Sequence, residues 1–292
     1  MSLHRIGEHG RGIVLVFIAT LLFVALDATA KYLTRTYPVA QVVWARFFFH
    51  LLWVLVLIGP RLGRELRTRR PGLQLLRSVV MLATNGVFFL ALSRMPMADA
   101  NAIMFVNPLI VTALAVPLLG ERVGFRSWVA VLIGFAGVLI IIRPGPDVLQ
   151  SAAVLPLIAS TLFAFYQIAT RVLSSIDAPM TTLFYTALVG AIVTTAGLPW
   201  YWHTPDFSGI AFMAAAGLFG ALGQFAFIKA VEVAPVSVIA PFNYTTLLWS
   251  ALFGFVLFGD LPDRYTWLGA AIIVASGLYI LHRSGVRARA GE

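Results

Sequence analysis

The chain has 292 residues, 60% of them hydrophobic and 11% charged, where a soluble domain carries about 25% charge. Uncharged runs such as 100–120, 148–170, 178–205 and 207–228 reach the roughly 20 residues that cross a bilayer's hydrocarbon, and one soluble core cannot bury so many. There is no cysteine, which excludes disulfides and thiolate chemistry, and the formal charge of +9 lies between the apolar runs, as in Arg61–Arg70, and not in a patch that would grip nucleic acid.

Ten membrane helices are predicted, at 12–33, 38–58, 75–93, 98–118, 124–142, 150–172, 178–199, 208–229, 236–257 and 265–282, with prolines such as Pro38, Pro71, Pro96, Pro179, Pro205 and Pro262 at the turns. Segment one follows Arg5 and Arg11 and contains Ala28-Thr29-Ala30, which together look like a cleavable leader. Residues 23–31 (FVALDATAK) match 163–171 (FAFYQIATR), however, so the segment is read as a retained first helix.

Asp27 in segment one and Arg46 in segment two fall at similar depth on either side of the Pro38 turn. Each costs about 2.5–3.5 kcal/mol to place in the membrane, so an Asp27–Arg46 ion pair is expected. That pair reads as a clasp between helices, as an anchor for a substrate carboxylate at Arg46, or as a proton-sensitive Asp27. His50, one turn beyond Arg46, reads as a hydrogen-bonded structural group. Segment three carries Asn85. Segment four carries Asn107-Pro108, where proline frees the carbonyl of Met104 near the middle of the membrane. Segment six carries Phe163, Tyr166 and Gln167, segment eight Gln224, and segment nine Asn243 and Tyr244. Amides and phenols at these depths can bind an ammonium or carboxylate group, or only hold helices together. The small residues of 214–223 (AAAGLFGALG) let helices approach closely, and Glu121 and Asp260 read as turn or cap residues.

Residues 91–121 repeat as 230–260 without a gap. Ala91 falls on Ala230, Pro96 on Pro235, Phe105 on Tyr244 and Asn85, further upstream, on Gln224. Each copy holds five segments, an odd number, so the second enters the membrane upside down. The expected fold is an all-α polytopic membrane protein with ten transmembrane helices in two inverted-topology five-helix repeats, 1–146 and 147–292. Of the 21 Lys and Arg, five fall on the outer side when the N-terminus is cytoplasmic (Lys31, Arg35, Arg94, Arg143 and Arg264), Arg46 lies inside a segment, and fifteen, Arg77 among them, fall on the inner side. That bias puts both termini in the cytoplasm.

Ala91-Leu92-Ser93-Arg94-Met95-Pro96, the Asn107-Pro108 break, Leu119-Gly120-Glu121-Arg122-Val123 and Gly134–Ile140 resemble the EamA-type branch of the drug/metabolite transporter superfamily, over nearly the whole chain. The resemblance implies an inner-membrane exporter of amino acids and related metabolites. It also implies a central cavity between segments one, three, four, six, eight and nine, with Phe23, Phe105, Asn107, Phe163 and Gln224 at the matching places.

The sequence therefore points to a secondary transporter that exports amino acids or related small metabolites across the inner membrane by alternating access. A broad-specificity drug or cation exporter is the alternative. The expected substrate-binding set is Asp27, Arg46, Asn85, Phe105, Asn107, Phe163, Tyr166, Gln224, Asn243 and Tyr244. The expected partners are a small-molecule substrate and the lipid bilayer, with no nucleic acid. No cofactor or metal is expected. The chain has no cluster with metal-ligand spacing, no phosphate-binding loop and no nucleophile–base set, and an intramembrane enzyme would need paired catalytic groups that it lacks.

Overall fold

The computed structural model describes residues 3–59, 63, 67–119, 125–142, 152–173, 176–233 and 240–290. All regular structure among them is helical. We label the α-helices α1 (Leu3–Leu33), α2 (Val39–Ile58), α3 (Pro71–Leu92), α4 (Met97–Met104), α5 (Asn107–Leu119), α6 (Phe125–Ile142), α7 (Val154–Leu173), α8 (Pro179–Gly197), α9 (Phe207–Val233), α10 (Thr245–Phe253) and α11 (Arg264–Ala290). Proline opens α3 and α8 at their first residue, where its missing N–H has no helical partner to lose.

Seven stretches are long and apolar enough to cross a membrane, and Trp128–Ile141 and Phe242–Phe258 are shorter apolar helices. With α11 they make ten segments, five per copy. Large apolar side chains such as Val56, Leu132, Ile192 and Leu248 stay exposed on the outside of the bundle, where lipid covers them. The protein is an all-α polytopic membrane protein built from two repeats.

Two segments are not the continuous helices expected. The fourth breaks between α4 and α5, at Phe105 and Val106. Pro108 has no N–H to give to Met104, and the backbone turns tightly instead, with the N–H of Val106 donating to Ile103 (3.0 Å) and that of Leu109 to Val106 (2.9 Å). The ninth combines a 3₁₀ turn at Ala240–Tyr244, α10 and a π turn at Gly254–Phe258. It closes on Gly259, whose φ of 75° suits a residue without a Cβ. Glu121, the rest of the turn after α5, and residues 61, 62 and 64–66 lie outside the described residues.

The helix contacts follow the repeat. α1 packs along α9 while its copy α7 packs along α3. α2 touches α9 while α8 touches α3, and α1 meets α10 while α7 meets α4 and α5. Three pairs join copies of the same segment: α2 with α8, α6 with α11, and the fourth segment with the ninth, through α4 and α10. Exchanging the halves leaves this pattern unchanged, as a two-fold relation requires. With an odd number of segments per half, the axis lies in the membrane plane. The small face of α9 serves close packing. A Cβ on Gly217 would lie 2.4 Å from the Phe49 Cβ, and one on Gly223 would lie 3.0 Å from the Phe23 ring.

Candidate functional site

The two-fold axis passes where an element meets its own copy. Phe105, in the break of segment four, and Tyr244, its repeat equivalent in segment nine, have ring centroids 5.0 Å apart. These two expected site residues therefore meet on the axis. The Tyr244 hydroxyl lies against Gly277 of α11 and is buried with no hydrogen-bond partner.

Beside them, the broken helix is stitched to α7. Asn107 donates to the Ser160 carbonyl (3.0 Å) and accepts from the Gln167 amide (2.9 Å). Ser160 Oγ donates to the Met104 carbonyl (3.3 Å), the acceptor that Pro108 leaves free. The expected release of that carbonyl is therefore observed, and its partner comes from the other repeat. Asn107 is thereby fully engaged between halves. Gln224 and Asn243 are half-buried and make no side-chain hydrogen bond among the described residues. Asn85 donates back to Met81 one turn earlier in α3 (2.9 Å), and no hydrogen bond joins it to the other expected site residues among the described residues.

The expected Asp27–Arg46 ion pair is not formed. Both side chains are buried, and their charges influence each other, but no nitrogen–oxygen approach falls within 4 Å. Asp27 instead accepts from Asn101 of α4 (3.4 Å), while the Arg46 guanidinium lies over the Phe47 ring (4.7 Å). His50, expected to be hydrogen-bonded, keeps Nδ1 without a partner against Gly220 of α9.

Tyr166 and Phe163 stack at 11° and 5.5 Å, and the Tyr166 hydroxyl accepts from Arg77. Arg77 was expected on the cytoplasmic side. It sits inside α3, 2% exposed, and also donates to Thr170 (2.6 Å), to the Thr182 carbonyl (3.0 Å) and to Thr186 (2.7 Å). Its guanidinium covers the Tyr166 ring at 4.3 Å. One cation thus ties α3 to both α7 and α8. Sequence reasoning placed Arg77 near the start of the predicted helix 75–93 and, because it follows a run of arginines, counted it only as an inner-side charge. Asn101 and Ser160 carried no signal of their own, and Gln167 carried only its match to Asp27.

Both membrane surfaces hold polar ties between halves. On the side of the α1–α2 turn, Lys31 bonds Asp260 (2.8 Å) and the Met95 carbonyl (2.9 Å), and Thr266 donates to Asp99 (2.8 Å). Asp260 is therefore a partner for a cation in addition to a turn residue. Gln41 both donates to and accepts from the His203 backbone (2.7 and 2.8 Å), and Tyr37 donates to Asp206 (3.1 Å). The backbone N–H of Gly209, then Ser208 and Tyr37, hold the Asp206 carboxyl below the usual carboxylate range. On the opposite surface Asp177, the repeat equivalent of Tyr37, accepts from Thr68, Gln74 (2.9 Å) and the Arg69 N–H (3.2 Å). Burial pushes this carboxyl up, but those bonds outweigh it and leave the group below its ordinary value. A cavity of about 330 Å³ opens beside Tyr37 and Asp206, and one of about 380 Å³ beside Thr68 and Asp177. The two are repeat equivalents on opposite faces.

Residues 10–143 and 150–281 each match the EamA-like transporter family. The chain is 34% identical over 280 residues to a riboflavin transporter of Vibrio cholerae, covering 92% of each chain. It is 29% identical over 258 residues to an S-adenosylmethionine uptake transporter of Rickettsia bellii, covering 88% of this chain and 89% of that one. It is 26% identical over 272 residues to a pseudopaline exporter of Pseudomonas aeruginosa, covering 91% and 94%. A solved crystal structure of a protein superposes with a TM-score of 0.65 over 93% of this chain and 98% of its own, at 18% identity, a likeness of fold alone. A two-fold bundle with polar groups at its axis, matched along its length by transporters, is a membrane-embedded small-molecule transporter, and the chain belongs to the EamA-like transporter family.

Proposed function

We propose that the protein is a secondary transporter of amino acids or metabolites bearing an amino-acid group, working by alternating access in the inner membrane. The observation that carries this reading is the meeting of Phe105 and Tyr244 at 5.0 Å, with unpaired polar groups around the axis. A substrate bound there touches both repeats and can be passed between them. The moving units in this reading are 1–146 and 147–292, with both termini cytoplasmic as the charge bias favours. The binding set is Asp27, Arg46, Asn85, Phe105, Asn107, Phe163, Tyr166, Gln224, Asn243 and Tyr244. Within it, Asn107 and Tyr166 contribute mainly by holding the site's shape.

The relatives' names support a polar metabolite more than a lipophilic drug. S-adenosylmethionine carries an amino-acid group, and riboflavin, like the adenine of S-adenosylmethionine, offers a flat ring that aromatic side chains can face. One relative is named for uptake and another for export, so the direction in this reading follows the gradient; export is the direction expected from the sequence. The test is counterflow in liposomes holding the purified protein, with labelled amino acids, S-adenosylmethionine, riboflavin and a cationic drug. Exchange of the first two supports the proposal. Exchange confined to the cationic drug would overturn it in favour of the broad-specificity exporter, and efflux from preloaded cells tests the direction.

A further inference from the structure

The two halves place one arginine each at the same contact, but on different helices. In the repeat register Arg46 of α2 corresponds to Thr186 of α8, and Arg77 of α3 corresponds to Ala216 of α9. The contact of α2 with α9 therefore carries Arg46 opposite Ala216, and the contact of α8 with α3 carries Thr186 opposite Arg77. Arg77 makes four hydrogen bonds, to Thr170, Thr186, Tyr166 and the Thr182 carbonyl. The residues equivalent to Thr170 and Tyr166 in the first half are Ala30 and Leu26, which offer no side-chain oxygen. Arg46 is 4% exposed, its Nε has no partner, and no carboxylate lies within 4 Å. His50 Nδ1 and Trp53 Nε1, farther along the same stripe of α2, are also buried and unpaired.

Burying a guanidinium without partners is costly, and the fold shows at Arg77 how it satisfies one when the role is structural. We infer that Arg46 is the specificity-determining residue that binds the substrate's carboxylate, while Arg77 only positions the frame. Asp27, close to Arg46 but not paired with it, is placed to receive the ammonium of the same amino-acid group. This rests on the transport reading above and narrows it: the substrate is a carboxylate-bearing metabolite and not a neutral flavin.

The test uses purified protein in detergent and two substitutions, Arg46→Met and Arg77→Met. Their melting is measured alone and with S-adenosylmethionine or its decarboxylated analogue, which lacks only the anion. Arg46→Met is expected to melt at or above the wild type, because a buried cation with no hydrogen-bond or ion-pair partner is removed, and Arg77→Met clearly below it. S-adenosylmethionine is expected to raise the melting temperature of the wild type. The decarboxylated analogue should bind the wild type at least about tenfold more weakly, and Arg46→Met should bind the two alike. An Arg46→Met protein that melts as low as Arg77→Met overturns the inference, as does equal binding of both ligands to the wild type. The melting comparison needs no ligand, so it judges Arg46 even where the wild type answers to neither compound. Absent counterflow, by contrast, counts against the transport reading itself.

Discussion

Asn107 donates to the Ser160 carbonyl and accepts from Gln167, so truncating it cuts two bonds between the repeats at once. Interhelical hydrogen bonds in membranes contribute about 0.6 kcal/mol each on average. Asn107→Ala should therefore lower stability by roughly 1 kcal/mol, and adding Gln167→Ala should cost less than the sum, because both changes remove one shared bond. Additive melting shifts would show that the two side chains do not interact. Gln224 and Asn243 make no such bonds, so Gln224→Ala and Asn243→Ala should leave melting unchanged while weakening substrate binding by about 1–3 kcal/mol. Reduced melting with unchanged counterflow in these two variants would remove them from the site.

Asp177 belongs to the same scale and reports on pH. Its folded carboxyl titrates below the ordinary value of 3.8, so its contribution is fully present above about pH 4 to 5 and is lost as pH falls through the lowered folded value. Asp177→Asn should flatten that acid limb of the stability curve and leave stability near neutral pH lower and less dependent on acid. An unchanged acid limb in the variant would show that other carboxyls set it.

At the scale of elements, the crossing of α6 and α11 depends on having no side chain. A Cβ on Gly269 would lie 2.5 Å from the Gly137 carbonyl oxygen, and that oxygen belongs to backbone that cannot swing away. Gly269→Ala should cost about 1–3 kcal/mol of stability by forcing these helices apart. Gly86→Ala on α3 meets nothing within 4 Å and replaces a poor helix former, so it should be neutral or stabilising. Melting of the two variants side by side checks the claim; equal shifts would mean that the α6–α11 crossing tolerates separation.

At the scale of the whole molecule, Lys31 closes one face by reaching Asp260 across the halves while it also holds the Met95 carbonyl of its own half. The pair is mostly buried on the lysine side, and its loss should shift the balance toward an opening on that face by roughly 1 kcal/mol, about fivefold in population. The chain has no cysteine, so a single Phe105→Cys reports access cleanly. Lys31→Met should speed its labelling by an impermeant thiol reagent added from that face. An unchanged rate would mean that the ion pair does not hold the face shut.

Composition, the proline turns and the gapless match of 91–121 to 230–260 determined the membrane class, the helix count and the repeat, because spanning length and duplication are written along the chain. The break at Asn107-Pro108 and the freed Met104 carbonyl were legible for the same local reason: proline has no N–H. Partners were decided only by the tertiary structure. Depth along neighbouring segments suggested that Asp27 would meet Arg46, yet rotation about the helix axes gives Asp27 to Asn101 and leaves Arg46 unpaired. Arg77 looked like one more inner-side charge near a helix start until packing set it among Tyr166, Thr170 and Thr186. Which helix faces which, and at what rotation, is fixed by side chains meeting across the two repeats, and those meetings have no trace in the order of residues along either one.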